Sequence, residues 1–228
     1  MRAGAASRAL FFSAGACAAA ASLSAQDTAS TLLDRAASGY RSAHTIRAYF
    51  EQTLTSSATG AVHDARGEYL QSGGNRFALR FTDPAGDAVV SDGTSLWLYL
   101  PSTAKGQVIK MPSAVGTGLD VLSALMASPR ANYAIVRGND ETVGGHSTAV
   151  FALTPKRGDM PFVHATLWIG RSDALIWQLD AVEQSGLERH VRFTSIRMNA
   201  ALPRDALTFS VPAGVRVIDQ AALFGKKP

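Results

Sequence analysis

Residues Val89–Pro101 read VVSDGTSLWLYLP and contain a turn between two apolar runs. Asp92-Gly93 is typical of a two-residue β-turn that needs positive φ, so the stretch predicts a β-hairpin. Side chains alternate between the two faces of a strand. In the second strand, one face holds Leu96, Leu98 and Leu100, and the other holds Trp97 and Tyr99. Trp97 and Tyr99 then belong either to a core or to a surface that holds an apolar ligand, and the stretch by itself leaves both open.

The chain from Ile46 onward alternates apolar and polar residues in short runs separated by Gly, Asp, Asn and Pro, which is typical of strands. We expect strands at Ile46–Ser56, Val62–Gln71, Arg76–Thr82, Ala88–Val90, Ser95–Leu100, Val108–Met111, Tyr133–Gly138, Thr148–Thr154, His164–Ile169, Leu175–Val182, His190–Ile196 and Thr208–Val211. Strands this closely spaced favour antiparallel neighbours in one large sheet, because parallel crossovers need a dozen or more residues.

Two segments have helical spacing instead. The first has Ala29, Leu32, Leu33, Ala36 and Tyr40 on one face, with Asp27 or Thr28 as a cap. The second is an interruption between strands, with Leu119, Leu122, Leu125 and Met126 before Pro129. A short apolar helix in such a position is either a plain cover on the sheet or a movable lid.

Composition limits the class of protein. The chain has 228 residues, of which 46% are hydrophobic and 18% charged, with a formal net charge of +4. This length predicts one domain, and the low charge content indicates a large apolar interior or cavity. Because no cluster of Lys and Arg with interleaved aromatic residues occurs, we expect no nucleic-acid partner.

The first 25 residues resemble a secretory signal. Arg2 and Arg8 accompany an apolar run at 9–21, and small residues at 22–25 precede Gln26. We therefore expect residues 1–25 to be removed and residues 26–228 to form one exported domain. A competing interpretation concerns Cys17, because Ala14–Cys17 faintly resembles a bacterial lipoprotein cleavage box without its usual Leu; Cys17 would then bear a lipid anchor.

Catalytic and metal-binding patterns are missing from the sequence. The histidines are scattered, at positions 44, 63, 146, 164 and 190, without the close spacing of metal sites. No Gly-x-Ser-x-Gly elbow or phosphate-binding loop occurs, and removal of residues 1–25 also removes the one cysteine. We therefore expect neither an enzyme nor a metal site.

The strand at Arg76–Thr82 has one strongly apolar face. Phe77, Leu79 and Phe81 project to one side, whereas Arg76, Ala78 and Arg80 project to the other. In an ordinary sandwich the apolar side would pack against a second sheet.

Several runs of this chain, in order, resemble the LolA family of periplasmic outer-membrane lipoprotein carriers. Val90–Tyr99 is similar to the family's V-S-D-G-x-x-L-W-x-Y signature. The other matching runs are Phe50–Thr53, Gly67, Asn75–Phe77 with Asp83-Pro84, Phe151–Lys156, Asp180–Gln184 and Phe209–Gly214. Together they extend over about residues 29 to 220.

The resemblance implies a mainly β fold with helices, in which an incomplete, strongly curved antiparallel half-barrel is covered by a helical lid above an apolar cavity. It also implies a periplasmic protein without a cofactor. We expect a monomer, although the sequence carries no signal for the oligomeric state. Such a carrier receives acylated lipoproteins from an inner-membrane ABC transporter and passes them to an outer-membrane receptor. Two alternatives remain open: an outer-membrane-anchored acceptor tethered through Cys17, and a carrier of lipids or glycolipids on the same fold.

The resemblance also suggests which residues have these roles. Phe77 matches a family phenylalanine implicated in transporter docking and cargo handling, and Leu79 and Phe81 continue its face. Leu119 and Leu122 match the lid helix, and Trp97 and Tyr99 are signature residues that contact cargo or define the core. The family often has a basic residue followed by proline where this chain has Gly73-Gly74, and that base holds the lid shut. Two hypotheses follow: Arg76 or Arg66 replaces this base, or the lid is held more weakly.

Overall fold

The computed structural model describes residues 31–73, 75–113 and 120–220. The predicted signal segment with Cys17, the helix cap, and Gly74 and Leu119 lie outside the described residues. Helix α1 includes residues 31–42, α2 is Val121–Met126 and α3 is Pro129–Asn132. The strands are β1 Thr45–Ser56, β2 Val62–Ser72, β3 Arg76–Asp83, β4 Ala85–Asp92, β5 Ser95–Tyr99, β6 Gln107–Pro112, β7 Tyr133–Val143, β8 His146–Pro155, β9 Phe162–Gly170, β10 Ile176–Glu183, β11 Leu187–Met198 and β12 Arg216–Asp219.

All twelve strands form one sheet. Their order is β12-β6-β5-β4-β3-β2-β1-β11-β10-β9-β8-β7, and every neighbouring pair is antiparallel except β12 with β6. Strands β7 and β12 are the two edges and do not pair with each other in the described part of the chain. The sheet is therefore an open half-barrel, which confirms the predicted fold class.

The concave face of this sheet holds the main core. Inward side chains from β1 to β5 and from β8 to β11 join α1 and α2 in one apolar cluster. Strand β3 follows the predicted alternation, because Phe77, Leu79 and Phe81 contact this cluster while Ala78 belongs to a second cluster on the convex face. The sheet curves around the two helices, which take the place of a second sheet.

Helix α1 covers one part of the concave face. Its apolar stripe is buried, with Leu33 and Ala36 each 1% exposed. The Tyr40 hydroxyl accepts a hydrogen bond from the backbone N–H of Ile176, at 3.1 Å. This bond ties the C-terminal part of α1 to β10.

The convex face is covered near β3, β4 and β5 by the segment after β11. Ala206 and Leu207 pack into the second cluster, and the Arg80 guanidinium donates to the carbonyl oxygens of Ala206 (3.0 Å) and Thr208 (3.1 Å). The predicted strand Thr208–Val211 is wrong for this reason: a side chain and local turns, not a neighbouring strand, satisfy the backbone of the segment. The last strand is β12 instead.

The hairpin in VVSDGTSLWLYLP exists, but its turn is shifted by one residue. Strand β4 includes Asp92, and the two loop residues are Gly93, with φ of +95°, and Thr94. The Asp92 carboxylate accepts from the backbone N–H groups of Thr94 and Ser95, each at 2.8 Å, and from the Trp97 indole at 3.1 Å. Burial alone would raise the pKa of Asp92, but these donors lower it below its ordinary value.

Gly67 marks the closest approach between β2 and β3. A Cβ atom added there would lie 2.3 Å from the Arg80 carbonyl oxygen and 2.9 Å from the Phe81 Cα, both backbone atoms. No rotamer change relieves such a clash. Gly39 in α1 is the opposite case, with nothing within 4 Å of an added Cβ.

We expect Gly67→Ala to lower the free energy of unfolding by about 2–3 kcal/mol, because the sheet must distort to admit the methyl group. Gly39→Ala is the matched control and should raise it by about 0.5–1 kcal/mol, since alanine restricts the unfolded chain and favours the helix. Urea unfolding of both variants measures the two values. Equal stability of the two variants would contradict the packing described for Gly67.

Candidate functional site

Helix α2 lies over the concave face beside α1. Asp120 caps it, accepting from the backbone N–H of Ser123 at 3.2 Å, and its buried residues are Val121, Leu122, Leu125 and Met126. A helix of six residues is far below the roughly 12–15 residues at which isolated helices become marginally stable. Its structure therefore depends on packing against the sheet.

A small pocket lies between α2 and the sheet. Its volume is about 40 Å³. The residues that line it are Phe50, Gln52, Tyr69, Leu79, Asp120, Val121, Leu122, Leu179, Arg189, Val191 and Phe193. Most of these are apolar, and they come from β1, β2, β3, β10, β11 and α2.

Within the described residues, the space between α2 and the sheet is small. Small-molecule pockets usually have about 300–1,000 Å³, whereas this pocket has a volume of about 40 Å³ and has room for a few waters. The side chains of α2 fill the space above the sheet. An apolar ligand of any length can therefore enter only if α2 moves away from the sheet.

Polar contacts with β2 hold the N-terminal end of α2. The Tyr69 hydroxyl lies 2.9 Å from Asp120 Oδ1 and 3.0 Å from Gln71 Oε1. Gln71 Nε2 donates to the Ser123 hydroxyl at 2.9 Å. Since Tyr69 and Gln71 are both buried, water does not compete freely for these bonds. We call these four residues, Tyr69, Gln71, Asp120 and Ser123, the latch.

The C-terminal end of α2 has its own contacts. Arg41, in α1, donates to the Met126 carbonyl at 3.3 Å, and the Tyr133 hydroxyl donates to the Ala124 carbonyl at 3.3 Å. Carbonyl groups in the last turn of a helix have no partner within the helix. Arg41 and Tyr133 satisfy two of them, so α2 is held by hydrogen bonds at both ends and by apolar contacts between.

Burial changes the proton affinity of the latch. Desolvation is the main reason that the pKa of the Tyr69 hydroxyl rises well above its ordinary value, so this hydroxyl keeps its proton. Desolvation also raises the pKa of Asp120, although hydrogen bonds from Ser123 and Tyr69 oppose the shift. The docked helix thus favours the protonated form of Asp120.

Comparison with known proteins assigns this chain to a family. The family model of the outer membrane lipoprotein carrier protein LolA matches residues 41–210. Outer-membrane lipoprotein carrier proteins from two strains of Klebsiella pneumoniae are each 30% identical over 176 residues, which are 77% of this chain and 81% of each relative. The chain belongs to the LolA family. Its family assigns it a lipoprotein carrier role, as the sequence predicts.

A solved structure resembles the fold at a larger evolutionary distance. An uncharacterized conserved protein from Thermus thermophilus superposes with a TM-score of 0.51 at 11% identity, over 86% of this chain and 99% of that protein. This likeness concerns the fold alone.

The structure brings four of the predicted LolA-family site residues to the concave side. Leu79 and Leu122 line the pocket, and Phe81 packs edge-on against Phe50 with ring centroids 5.7 Å apart. Phe77 is 6% exposed and lies in the same core. A docking partner would reach Phe77 only after its neighbours move.

The signature aromatics Trp97 and Tyr99 lie on the convex face instead. Their rings pack on Phe209, with centroids 5.4 Å and 5.6 Å away, and Lys110 Nζ lies 5.4 Å from the centroid of Trp97. The sheet separates both rings from the pocket. Of the two interpretations of these residues, the structure supports packing that defines the fold.

Neither predicted latch arginine contacts α2. Arg66 pairs with Asp83 at 3.0 Å, and both side chains are more than half exposed. Arg76 is exposed, and its side chain packs beside the turn at Gly93. A Cβ atom added to Gly93 would lie 3.2 Å from the Arg76 Cγ. Among the described residues, the hydrogen bonds that hold α2 come instead from Tyr69 and Gln71 on β2, and from Arg41 on α1.

Sequence reasoning also missed three polar residues at one end of the pocket. Arg189 donates to Glu183 Oε1 at 2.8 Å and to Gln52 Oε1 at 3.3 Å. Gln52 and Glu183 belong to runs that match the LolA family, and both face inward by strand alternation. The sequence did contain one indication of this: Arg189 lies on the same face of its strand as the apolar residues Val191 and Phe193.

Two further kinds of feature were sought in the described residues: a metal site and a membrane-spanning helix. No group of three or more His, Cys, Asp and Glu side chains is placed to hold a metal ion within residues 31–73, 75–113 and 120–220. Over the same ranges, none of the helices has both the length and the hydropathy to cross a membrane.

We expect Gln71→Leu combined with Ser123→Ala to speed amide hydrogen exchange in α2, because the pair loses the bond between β2 and the helix. Roughly 0.5–1.5 kcal/mol per lost hydrogen bond corresponds to an increase of about three- to tenfold. Hydrogen exchange followed by mass spectrometry measures it. Arg66→Ala and Arg76→Ala are the controls; if they speed exchange in α2 as much, the latch is assigned to the wrong residues.

The raised pKa of Asp120 makes a second prediction. A raised folded-state pKa means that the folded protein binds this proton more tightly, so the stability due to Asp120 falls as pH rises past the ordinary value of about 3.9. We expect wild type to lose stability relative to Asp120→Asn when pH rises from about 4 to 7. Urea unfolding at several pH values gives the difference, and a constant difference would refute the proton linkage.

Proposed function

We propose that this protein is a periplasmic carrier that binds the acyl chains of lipoproteins released from the inner membrane and delivers them to an outer-membrane receptor. The observation that supports this proposal is an apolar concave face covered by a short helix with hydrogen bonds at only its two ends. Such a face can exchange one apolar cover, α2, for another, the acyl chains of cargo.

Acyl chains need a cover to cross water. Burying each CH₂ is worth about 0.8 kcal/mol, so a free lipoprotein leaves a membrane slowly and aggregates in water. A carrier must also release what it binds. Because α2 returns to the same apolar surface when cargo leaves, closure offsets part of the free energy needed for release.

Two partners follow from this role. We propose that the inner-membrane ABC lipoprotein-release complex loads the carrier, and that the receptor in the outer membrane unloads it. Phe77 is proposed to contact the loading complex, at a stage when α2 has left the concave face. The carrier acts without a cofactor and as a monomer.

The location of the protein is part of the same proposal. Export requires removal of residues 1–25, which gives a mature chain that begins near Gln26. Mass spectrometry of the mature N terminus tests this directly. A lipid on Cys17 would favour the anchored acceptor over the carrier.

The nature of the cargo needs a separate measurement. We expect acylated polypeptides to copurify when the protein is isolated from its native periplasm under mild conditions. Lipids or glycolipids without acylated polypeptide would support the lipid carrier instead. Identification of the bound molecules by mass spectrometry distinguishes the two.

We expect Leu79→Ala to weaken binding of an N-palmitoyl peptide by roughly tenfold, because it removes apolar contact area from the pocket wall. Displacement of a bound fluorescent fatty acid measures the affinity. Tyr99→Ala is the matched control on the convex face and should leave the affinity within about twofold. If Tyr99→Ala weakens binding as much as Leu79→Ala, the acyl chains do not lie under α2.

A further inference from the structure

A charged side chain occupies one end of an apolar pocket. Arg189 lines the pocket beneath α2 together with Val191 and Phe193, its inward neighbours on β11. Its side chain is only 10% exposed. A buried charge requires partners, because desolvation is costly.

The partners of Arg189 neutralise its charge but do not use all of its donors. Its Nε and one terminal nitrogen both donate to Glu183 Oε1, at 3.3 Å and 2.8 Å, and its other terminal nitrogen donates to Gln52 Oε1 at 3.3 Å. A guanidinium has five N–H groups. One N–H on each terminal nitrogen therefore remains without an acceptor among the described protein atoms.

The charge balance indicates which ligand group fits these donors. Glu183 already cancels the charge of Arg189. A phosphate or carboxylate would bring an uncompensated negative charge into this surrounding. A neutral carbonyl oxygen accepts hydrogen bonds without that cost.

We propose that Arg189, positioned by Glu183 and Gln52, is a binding site for the carbonyl oxygen at the head of an acyl chain. The inference rests on the proposed function and deepens it. The acyl head then lies at the β1–β11–β10 end of the pocket, and the chain extends along the concave face towards Leu79, in the place that α2 leaves. The carbonyl belongs either to an ester or to an N-terminal amide, both of which present the same acceptor.

Two lipids that differ only in their carbonyl groups test this site. One is 1,2-dipalmitoylglycerol, and the other is its ether analogue 1,2-di-O-hexadecylglycerol. Each competes with a bound apolar fluorophore on the purified mature chain. We expect the wild-type protein to bind the ester more tightly than the ether by roughly tenfold or more, as one hydrogen bond to a charged donor would give.

The variants assign this preference to Arg189. Arg189→Met should reduce the ester-to-ether ratio to about one, and Glu183→Gln combined with Arg189→Met should do the same without leaving a buried carboxylate unpaired. The matched control is Glu51→Gln with Arg192→Met, which removes a neighbouring pair, 2.7 Å apart, on the convex face and should keep the wild-type ratio. Thermal unfolding of each variant verifies the fold.

Each result has a defined meaning. A preference that persists in both Arg189 variants overturns the carbonyl site while leaving the carrier function intact. Failure of both lipids to displace the fluorophore overturns acyl binding under α2, and the carbonyl site with it. In a third arm, N-palmitoylserinamide competes against the wild type and the Arg189 variants. A loss of affinity on Arg189 substitution for the amide but not for dipalmitoylglycerol would assign the site to an N-acyl group, and the reverse would assign it to the esters.

Discussion

An open, curved sheet leaves a concave apolar face that no second sheet covers, and the rest of the structure depends on how that face is kept from water. Strands β7 and β12 do not meet in the described chain, so the half-barrel cannot close on itself. Helices α1 and α2 cover it instead. They do so differently: α1 is helical over residues 31–42 and is tied to β10 through Tyr40, whereas α2 has only six residues. The shorter cover is the one suited to move.

Strand alternation made most of the fold predictable from sequence. A strand with one buried face and one partly exposed face shows apolar residues at every second position. This pattern predicted eleven of the twelve strands with bounds within five residues of those observed. Alternation gave a wrong strand at Thr208–Val211. Phe209 is packed against Trp97, as a strand residue facing the sheet would be, but the Thr208 carbonyl accepts from Arg80 and not from a neighbouring strand. Periodicity reports which side chains are buried, and it does not report what bonds the backbone makes.

The site was less predictable for two physical reasons. Trp97 and Tyr99 alternate with apolar residues, so both faces of β5 are apolar and the pattern cannot tell concave from convex. The segment at 200–212, which covers the convex face there, is distant in sequence. The latch is also non-local: Gln71 and Ser123 are 52 positions apart in sequence and meet only because α2 packs on the sheet. The resemblance indicated a helix at Leu122, which the structure contains, but it gave no indication of the hydrogen bonds that Tyr69, Gln71 and Arg41 make with α2.

The balance between cover and cargo follows from the same surface. Four buried side chains of α2 are worth on the order of 6–12 kcal/mol of apolar burial as an upper estimate. A single chain of about sixteen carbons, at about 0.8 kcal/mol per CH₂, has a comparable value. The hydrogen bonds of the latch contribute less, since each exchanges with water for roughly 0.5–1.5 kcal/mol. One chain therefore competes with α2 on nearly equal terms, whereas a molecule with several chains displaces it decisively. On the proposed function, a cover of this size would make binding depend on the number of acyl chains, which would separate a multiply acylated protein from a single fatty acid.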